Sequence, residues 1–462
     1  MTRQKTIDLG HGPVGRLLFS LALPTITSQI VNMLYNLVDR VYIGHMQPVD
    51  SVGKLALTGV GVCLPIIMVI SAFAALLALG GAPRASIQEG RGDSRGAEQI
   101  MGNCFTLLVA ASLVLTVAFL FFARPLLLTF GASENTIGYA MEYMQIYALG
   151  TLFVEVTLGM NGFITAQGFT TVGMQTVLIG AVLNTILDPL FIFGLHMGVR
   201  GAALATILSQ AVSAAWVLRF LSGKQTKWRL RRESLRPRAK VVAPCLALGL
   251  APFIMQSTES LIAACFNASL LRYGGDIAVG AMTVLTSIMQ FAMMPLHGLT
   301  QGAQPIISYN YGARSAQRVR DAFSCLLRVC VVYSLGLWVL VQLFPRVFAL
   351  IFNSNAELVD YAAWALRVYM GATGIFGIQI ACQQTFIALG NAKASLFLAV
   401  LRKIILLIPL IYILPHFFAS KAFAVFLAEP VADFLAVCTT AILFARQFKK
   451  SMAELEAPPA EA

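Results

Sequence analysis

From residue 15 to residue 446 the chain is a succession of apolar runs in which apolar and polar residues do not alternate. Each run is long enough to cross hydrocarbon as a helix, which takes about 20 residues. Within a bilayer every backbone N–H and C=O must be bonded inside the protein, so only helices and closed barrels can span it, and barrel strands would alternate. Helices are therefore predicted over 15–43, 55–80, 97–123, 136–160, 170–195 and 200–221. A second set follows over 241–272, 277–302, 317–345, 357–382, 394–415 and 421–446. Composition agrees: 58% of residues are apolar and 12% charged, against about 45–50% and 25% in soluble domains. The first run is too long for the core of a secretion signal and no small-residue cleavage site follows it, so it is read as a retained span.

The two sets of six are copies. Displaced by 222 residues, the chain matches itself at Gly80/Gly302, Pro83/Pro305, Gly90/Gly312, Phe122/Phe344, Arg124/Arg346, Phe130/Phe352, Tyr139/Tyr361, Tyr147/Tyr369, Ala166/Ala388 and Gly168/Gly390. An even number of spans per copy makes both enter the membrane from the same side, so the repeats are parallel, related by an axis along the membrane normal. The expected fold is an all-α integral membrane protein of twelve transmembrane helices in two pseudo-symmetric six-helix bundles. Residues 1–221 form the N-terminal lobe, 222–240 a basic hinge-like linker, 241–446 the C-terminal lobe and 447–462 a disordered tail rich in Ala, Glu and Pro. A monomer is expected.

Orientation follows from Lys and Arg, which collect in cytoplasmic loops. With a cytoplasmic N-terminus, the inner side holds Arg3, Lys5, Arg16, Arg84, Arg91, Arg95, Arg314, Arg318, Arg320, Lys393, Arg446, Lys449 and Lys450, besides the linker. The outer side keeps Arg40, Lys54, Arg124, Arg200, Arg272, Arg346 and Lys421. Both termini of this multi-pass chain are thus expected in the cytoplasm. The linker cluster from Lys224 to Lys240 is what a loop facing anionic lipid carries, so the net charge of +12 is a matter of topology and no nucleic-acid partner is expected. The eight cysteines lie in apolar spans without a CxxC pair, which argues against disulfides and zinc and for small core residues.

An ionisable group at bilayer depth costs several kcal/mol unless it has a partner or a polar cavity. The acids so placed are Asp39, Glu155, Asp188, Glu259, Glu429 and Asp433. Arg402 and Lys403 are bases that can snorkel from the eleventh span. Tyr35 precedes Asp39 by one helical turn and Asn184 precedes Asp188 by one turn, so each acid has a polar neighbour on its own face. Such a carboxyl can hold a proton or bind a hard cation such as sodium; the bland alternative is that it pairs with an internal base or caps a kinked helix.

The string Tyr35-Asn36-Leu37-Val38-Asp39-Arg40-Val41-Tyr42-Ile43-Gly44 after Pro24, the segment Leu183-Asn184-Thr185-Ile186-Leu187-Asp188-Pro189-Leu190-Phe191 and the following Gly198-Val199-Arg200-Gly201 to Thr206 resemble the multidrug and toxic compound extrusion (MATE) transporters. The string Gln301-Gly302-Ala303-Gln304-Pro305 to Ala313 resembles the family's loop after the eighth span, and Val38-Asp39-Arg40 looks most like the MepA-like bacterial branch. The resemblance implies a cation-coupling site of Asp39, Asn184, Asp188 and Thr206, which would also be the sodium site if sodium is the ion. It further implies a proline bend at Pro24 and cavity residues at Tyr35 and Asn161. Some relatives place essential acids on the seventh and tenth helices; Glu259 matches the first, but the tenth span offers Gln379, Gln383 and Gln384 instead of an acid.

A cavity with buried carboxylates and adaptable Met and Phe side chains favours amphipathic organic cations. Met33, Met160, Phe163, Met255, Met289 and Phe291 are candidates for that lining, with Glu259 as a countercharge. The expected function is cation-coupled (H+ or Na+) multidrug efflux by alternating access, without a cofactor. A lipid-linked oligosaccharide flippase of the same superfamily would need a more cationic cavity. An intramembrane enzyme would need a catalytic constellation, whereas His11, His45, His196, His297 and His416 are scattered.

Overall fold

Apolar runs of membrane length satisfy their backbone locally, and the computed structural model, which describes residues 7–45, 50–352 and 355–457, is built of helices throughout. The first repeat holds α1 (Val14–Gly44), α2 (Asp50–Gly90) and α3 (Ser94–Thr129). Its fourth span is a bent pair, α4 (Ile137–Leu149) and α5 (Thr151–Ala166), at 58°. Its fifth is α6 (Thr170–Pro189), prolonged by a π-helical stretch Leu190–Gly194, and its sixth is α7 (Val199–Ser222). After a 3-10 turn at Arg232–Leu235 comes α8 (Ala239–Gly312), then α9 (Ala316–Leu343) and the short α10 (Pro345–Phe352). The bent pair α11 (Ala356–Tyr369) and α12 (Thr373–Ala388) meets at 52°. The next span runs through α13 (Ala392–Val400), a π-helical stretch Leu401–Leu407 and α14 (Ile408–Ile413), and α15 (Lys421–Glu456) closes the chain.

Among the described residues nine helices are long and apolar enough to cross a membrane, and eleven with each bent pair taken as one span. The remaining span is inside α8, which is two limbs joined at Gly275, φ +66° and ψ −166°, a conformation essentially confined to glycine. Twelve crossings result, at the expected places. The duplication is written into the irregularities: fourth and tenth spans are bent, fifth and eleventh open into π-helix, and Gly168 and Gly390 both have positive φ.

The repeats interlock at the end where the linker lies. Leu17, Leu18, Leu21 and Ala22 of α1 belong to a core cluster with Leu296, Ala303, Leu326 and Phe376 of the second repeat. Reciprocally, Cys245 of α8 is buried with Cys104 and Phe163 of the first. The backbones approach closely: a Cβ on Gly80 would strike the carbonyl of Cys245, one on Gly249 that of Leu76, one on Gly90 that of Tyr309 and one on Gly312 that of Ile87. Small residues permit this in lipid, where packing rather than water exclusion drives association.

Two expectations need correction. The linker is not a slack hinge, because its backbone polar groups are captured by the first repeat. Gln167 Oε1 accepts from Thr226 Oγ1 (2.7 Å) and from the Lys227 and Trp228 amides (2.8 and 3.0 Å), Asn103 donates to the Ser234 carbonyl at 2.9 Å, and Trp228 is fully buried and donates to Glu89 at 3.0 Å. Nor is the chain disordered from 447. Helix α15 continues to Glu456, because its Ala- and Glu-rich sequence propagates helix, Met452 is buried in the second-repeat core, Arg320 pairs with Glu456 at 2.6 Å and Arg314 donates to the Glu454 and Ala457 carbonyls (3.0 and 2.6 Å). Residues 458–462 of the expected tail lie outside the described residues.

Candidate functional site

The first half of α1 is held against the second repeat, and Thr25, next to Pro24, donates to the Gly298 carbonyl at 2.6 Å. Pro24 has no N–H, so the carbonyl one turn earlier is freed and the helix can bend there. Beyond that point α1 packs on α6. Asp39 arrives there opposite Asp188, which precedes Pro189 and the π-helical stretch, a local opening of the helical ladder that often marks function.

The carboxyls of Asp39 and Asp188 are close enough to interact electrostatically. Asn184 Nδ2 donates to Asp188 Oδ1 at 3.1 Å and lies 3.5 Å from Thr206 Oγ1, whose own proton goes to the Ala202 carbonyl at 3.0 Å. Tyr35 and Tyr143 are within electrostatic reach of Asp39, and Tyr143 contacts Thr206. Three buried oxygens, Asp39 Oδ1, Asn184 Oδ1 and Asp188 Oδ2, receive no hydrogen bond. Two carboxyls this close disfavour each other's charge, and the oxygens left bare among the described residues are ligands that a hard cation could use. The structure thus brings Asp39, Asn184, Asp188, Thr206 and Tyr35 together.

Asn161 is not among them. It donates to the Gly173 carbonyl at 3.3 Å, eleven residues before Asn184 on α6 and so about 16 Å away along the helix. Met160 and Phe163, expected in the cavity, are fully buried in a core cluster with Cys104 and Met101; they are packing residues here. Met33, Met255 and Met289 are half-buried, with Met255 sulfur accepting from Gln383 at 3.2 Å, and Phe291 is exposed.

In the second repeat the charges have found one another. Lys403 forms an ion pair with Glu259, and Arg402 bridges Asp433 at 2.7 Å and Glu429 at 3.2 Å beneath the Phe376 ring, 4.5 Å from its centroid. Both bases are buried rather than snorkelling to the surface. The spacing of Glu429 and Asp433, one turn apart on α15, is the sequence signal for a base on the facing helix. Gln379 completes this side through Thr440 and, at 3.1 Å, Gln383.

Two six-span repeats with a pair of acids within the spans of the first fit the class of secondary membrane transporters. A family model, MatE, matches residues 24–190 and 252–413, and the chain belongs to that family. It is 24% identical to the multidrug export protein MepA of Staphylococcus haemolyticus (strain JCSC1435) over 419 residues, 90% of this chain and 91% of that one. To the multidrug export protein MepA of Staphylococcus aureus (strain NCTC 8325 / PS 47) it is 23% identical over 412 residues, 88% of each. The fold superposes on a crystal structure of MATE in the bent conformation with TM-score 0.90 at 22% identity, over 98% of this chain and 100% of the other. A multidrug resistance MATE family transporter of the MOP superfamily in an outward-facing conformation gives TM-score 0.89 at 22% identity, over 98% and 99%.

Proposed function

We propose that the protein is an antiporter of a bacterial inner membrane that exports amphipathic organic cations in exchange for H+ or Na+ bound at Asp39 and Asp188, with Asn184 and Thr206 as auxiliary ligands. The observation that carries the reading is the closeness of the two carboxyls. Loaded with a positive particle they attract; emptied, two like charges about 4 Å apart repel by about 4 kcal/mol at the effective dielectric of a protein. That repulsion is enough to bias the outer part of α1 away from α6 about Pro24.

The start of α1, through Thr25 and Gln29, is held on the second repeat, and α1 also packs on α6 of the first, where it carries Asp39, so a bend at Pro24 changes the relation of the lobes. The basic linker end is read as cytoplasmic, with both termini there. The glycine contacts that close it, together with accessible polar groups at mid-span, Asn32, Asn36, Glu259 and His297, support a state open to the outside. Drug and ion then compete for one conformation. Moving a charge through 100 mV is worth about 2.3 kcal/mol, but exchange of one monovalent cation for another moves no net charge and draws only on the ion's concentration gradient.

The test is Asp39→Asn and Asp188→Asn, each expressed in a drug-sensitive host, with ethidium efflux normalised to surface expression. Each is expected to lose at least about tenfold of its efflux, the consequence of about 1.4 kcal/mol of lost coupling. Wild-type efflux by either variant overturns the assignment, and a pH step against a sodium step in proteoliposomes identifies the ion.

A further inference from the structure

The two repeats answer the same electrostatic problem in opposite ways. Displaced by 220 residues, Pro24 falls on Pro244, Asp39 on Glu259 and Pro189 on Pro409, so Glu259 is to α8 what Asp39 is to α1. The partner of Asp39 comes from the fifth span, where π-helix interrupts the ladder at Leu190–Gly194. The partner of Glu259 comes from the eleventh, within the π-helical stretch Leu401–Leu407. In the first repeat that partner is a second acid; in the second it is Lys403.

We propose that the Lys403 ammonium is a tethered cation, filling in the second repeat the place that an exchangeable ion takes at Asp39 and Asp188 in the first, so that only one of the two equivalent acid sites can load. The proposal rests on the exporter reading for its role in transport, but not for its electrostatics.

The geometry favours a permanent tether. The Lys403 side chain is 8% exposed, whereas that of Glu259 is 57% exposed, so the acid faces open space with the base behind it. Arg402, the one other base close by on that span, is engaged by Glu429 and Asp433 and held over Phe376, and is not free to replace it. From the second limb of α8 His297 is within reach of Glu259, and from α11 Tyr369. In the first repeat Arg40, the sequence neighbour of Asp39, is exposed and acts on it only electrostatically, and among the described residues no Lys or Arg forms an ion pair with either acid. Lys403 is thus a positioning residue that sets how many cations the protein binds. Without it, Glu259 is a carboxylate within a membrane span that has lost its ammonium, and the site is open to a proton or ion in its place.

The test is potentiometric proton counting on the purified full-length protein in detergent, in choline buffer between pH 8 and pH 5, with size-exclusion profiles to establish folding. Lys403→Met is expected to take up about one proton more per molecule than wild type. Lys403→Arg, which keeps a cation, and the double variant Lys403→Met with Glu259→Gln, which removes the acid, are expected to return the wild-type count. Equal uptake by wild type and Lys403→Met, or an extra proton that persists in the double variant, overturns the proposal. Ethidium export by the wild-type preparation in proteoliposomes reads the exporter assignment separately: its absence removes that reading and leaves the proton count standing.

Discussion

Glu155 shows what a single side chain can reveal. It sits on α5, wholly inaccessible, with both carboxyl oxygens lacking a hydrogen-bond partner. Its span was legible as apolar and the residue as an acid at membrane depth, but only its surroundings distinguish it from the acids at work elsewhere. Asp39 meets Asp188, Glu259 meets Lys403, and Glu429 and Asp433 share Arg402; among the described residues Glu155 forms no ion pair. A buried polar group without a partner destabilises a fold by about 1–3 kcal/mol. Glu155→Met, similar in volume and apolar, is therefore expected to raise the melting temperature of the purified protein. A lower melting temperature would mean that the acid has a partner, such as Tyr147, with which it interacts electrostatically.

Among the elements, α2 and α8 make the most extensive contact, and it depends on the absence of side chains at Gly80, Gly90, Gly249 and Gly312. Their pairing by the duplication, Gly80 with Gly302 and Gly90 with Gly312, was readable, but that the surfaces face each other across the repeats was not, since an apolar helix in lipid carries no amphipathic stripe to say which side is inward. A Cβ at position 249 would meet the Leu76 backbone, which cannot yield as a flexible side chain would. Gly249→Val is expected to weaken closure of the linker end by about 1–3 kcal/mol, the usual cost of overpacking. Faster alkylation of Cys245 by a maleimide, compared with wild type, would report it; an unchanged rate would show that α2 and α8 tolerate the extra atoms.

Across the whole molecule, Cys104 on α3 and Cys245 on α8 are buried in one core cluster drawn from different repeats, so their distance reads the state of the linker end. Copper-phenanthroline is expected to convert them to a disulfide, with loss of two alkylatable thiols, and to stop ethidium efflux until a reductant is added. Cys245→Ser should be insensitive. Efflux that continues with the two cross-linked would show that the linker end need not open, contrary to alternating access.

The sequence by itself determined the twelve crossings, the duplication and the acids left within the spans, because length and hydropathy act over a few residues. Tertiary structure alone decided the partners. Lys403 and Glu259 are 144 residues apart, and whether such a base snorkels or pairs depends on helix rotation and approach, to which local periodicity is blind. The same applies to Met160 and Phe163, apolar and expected at the cavity but buried in a core cluster, and to the linker, whose charges were visible but whose anchoring on Gln167 and Asn103 was not.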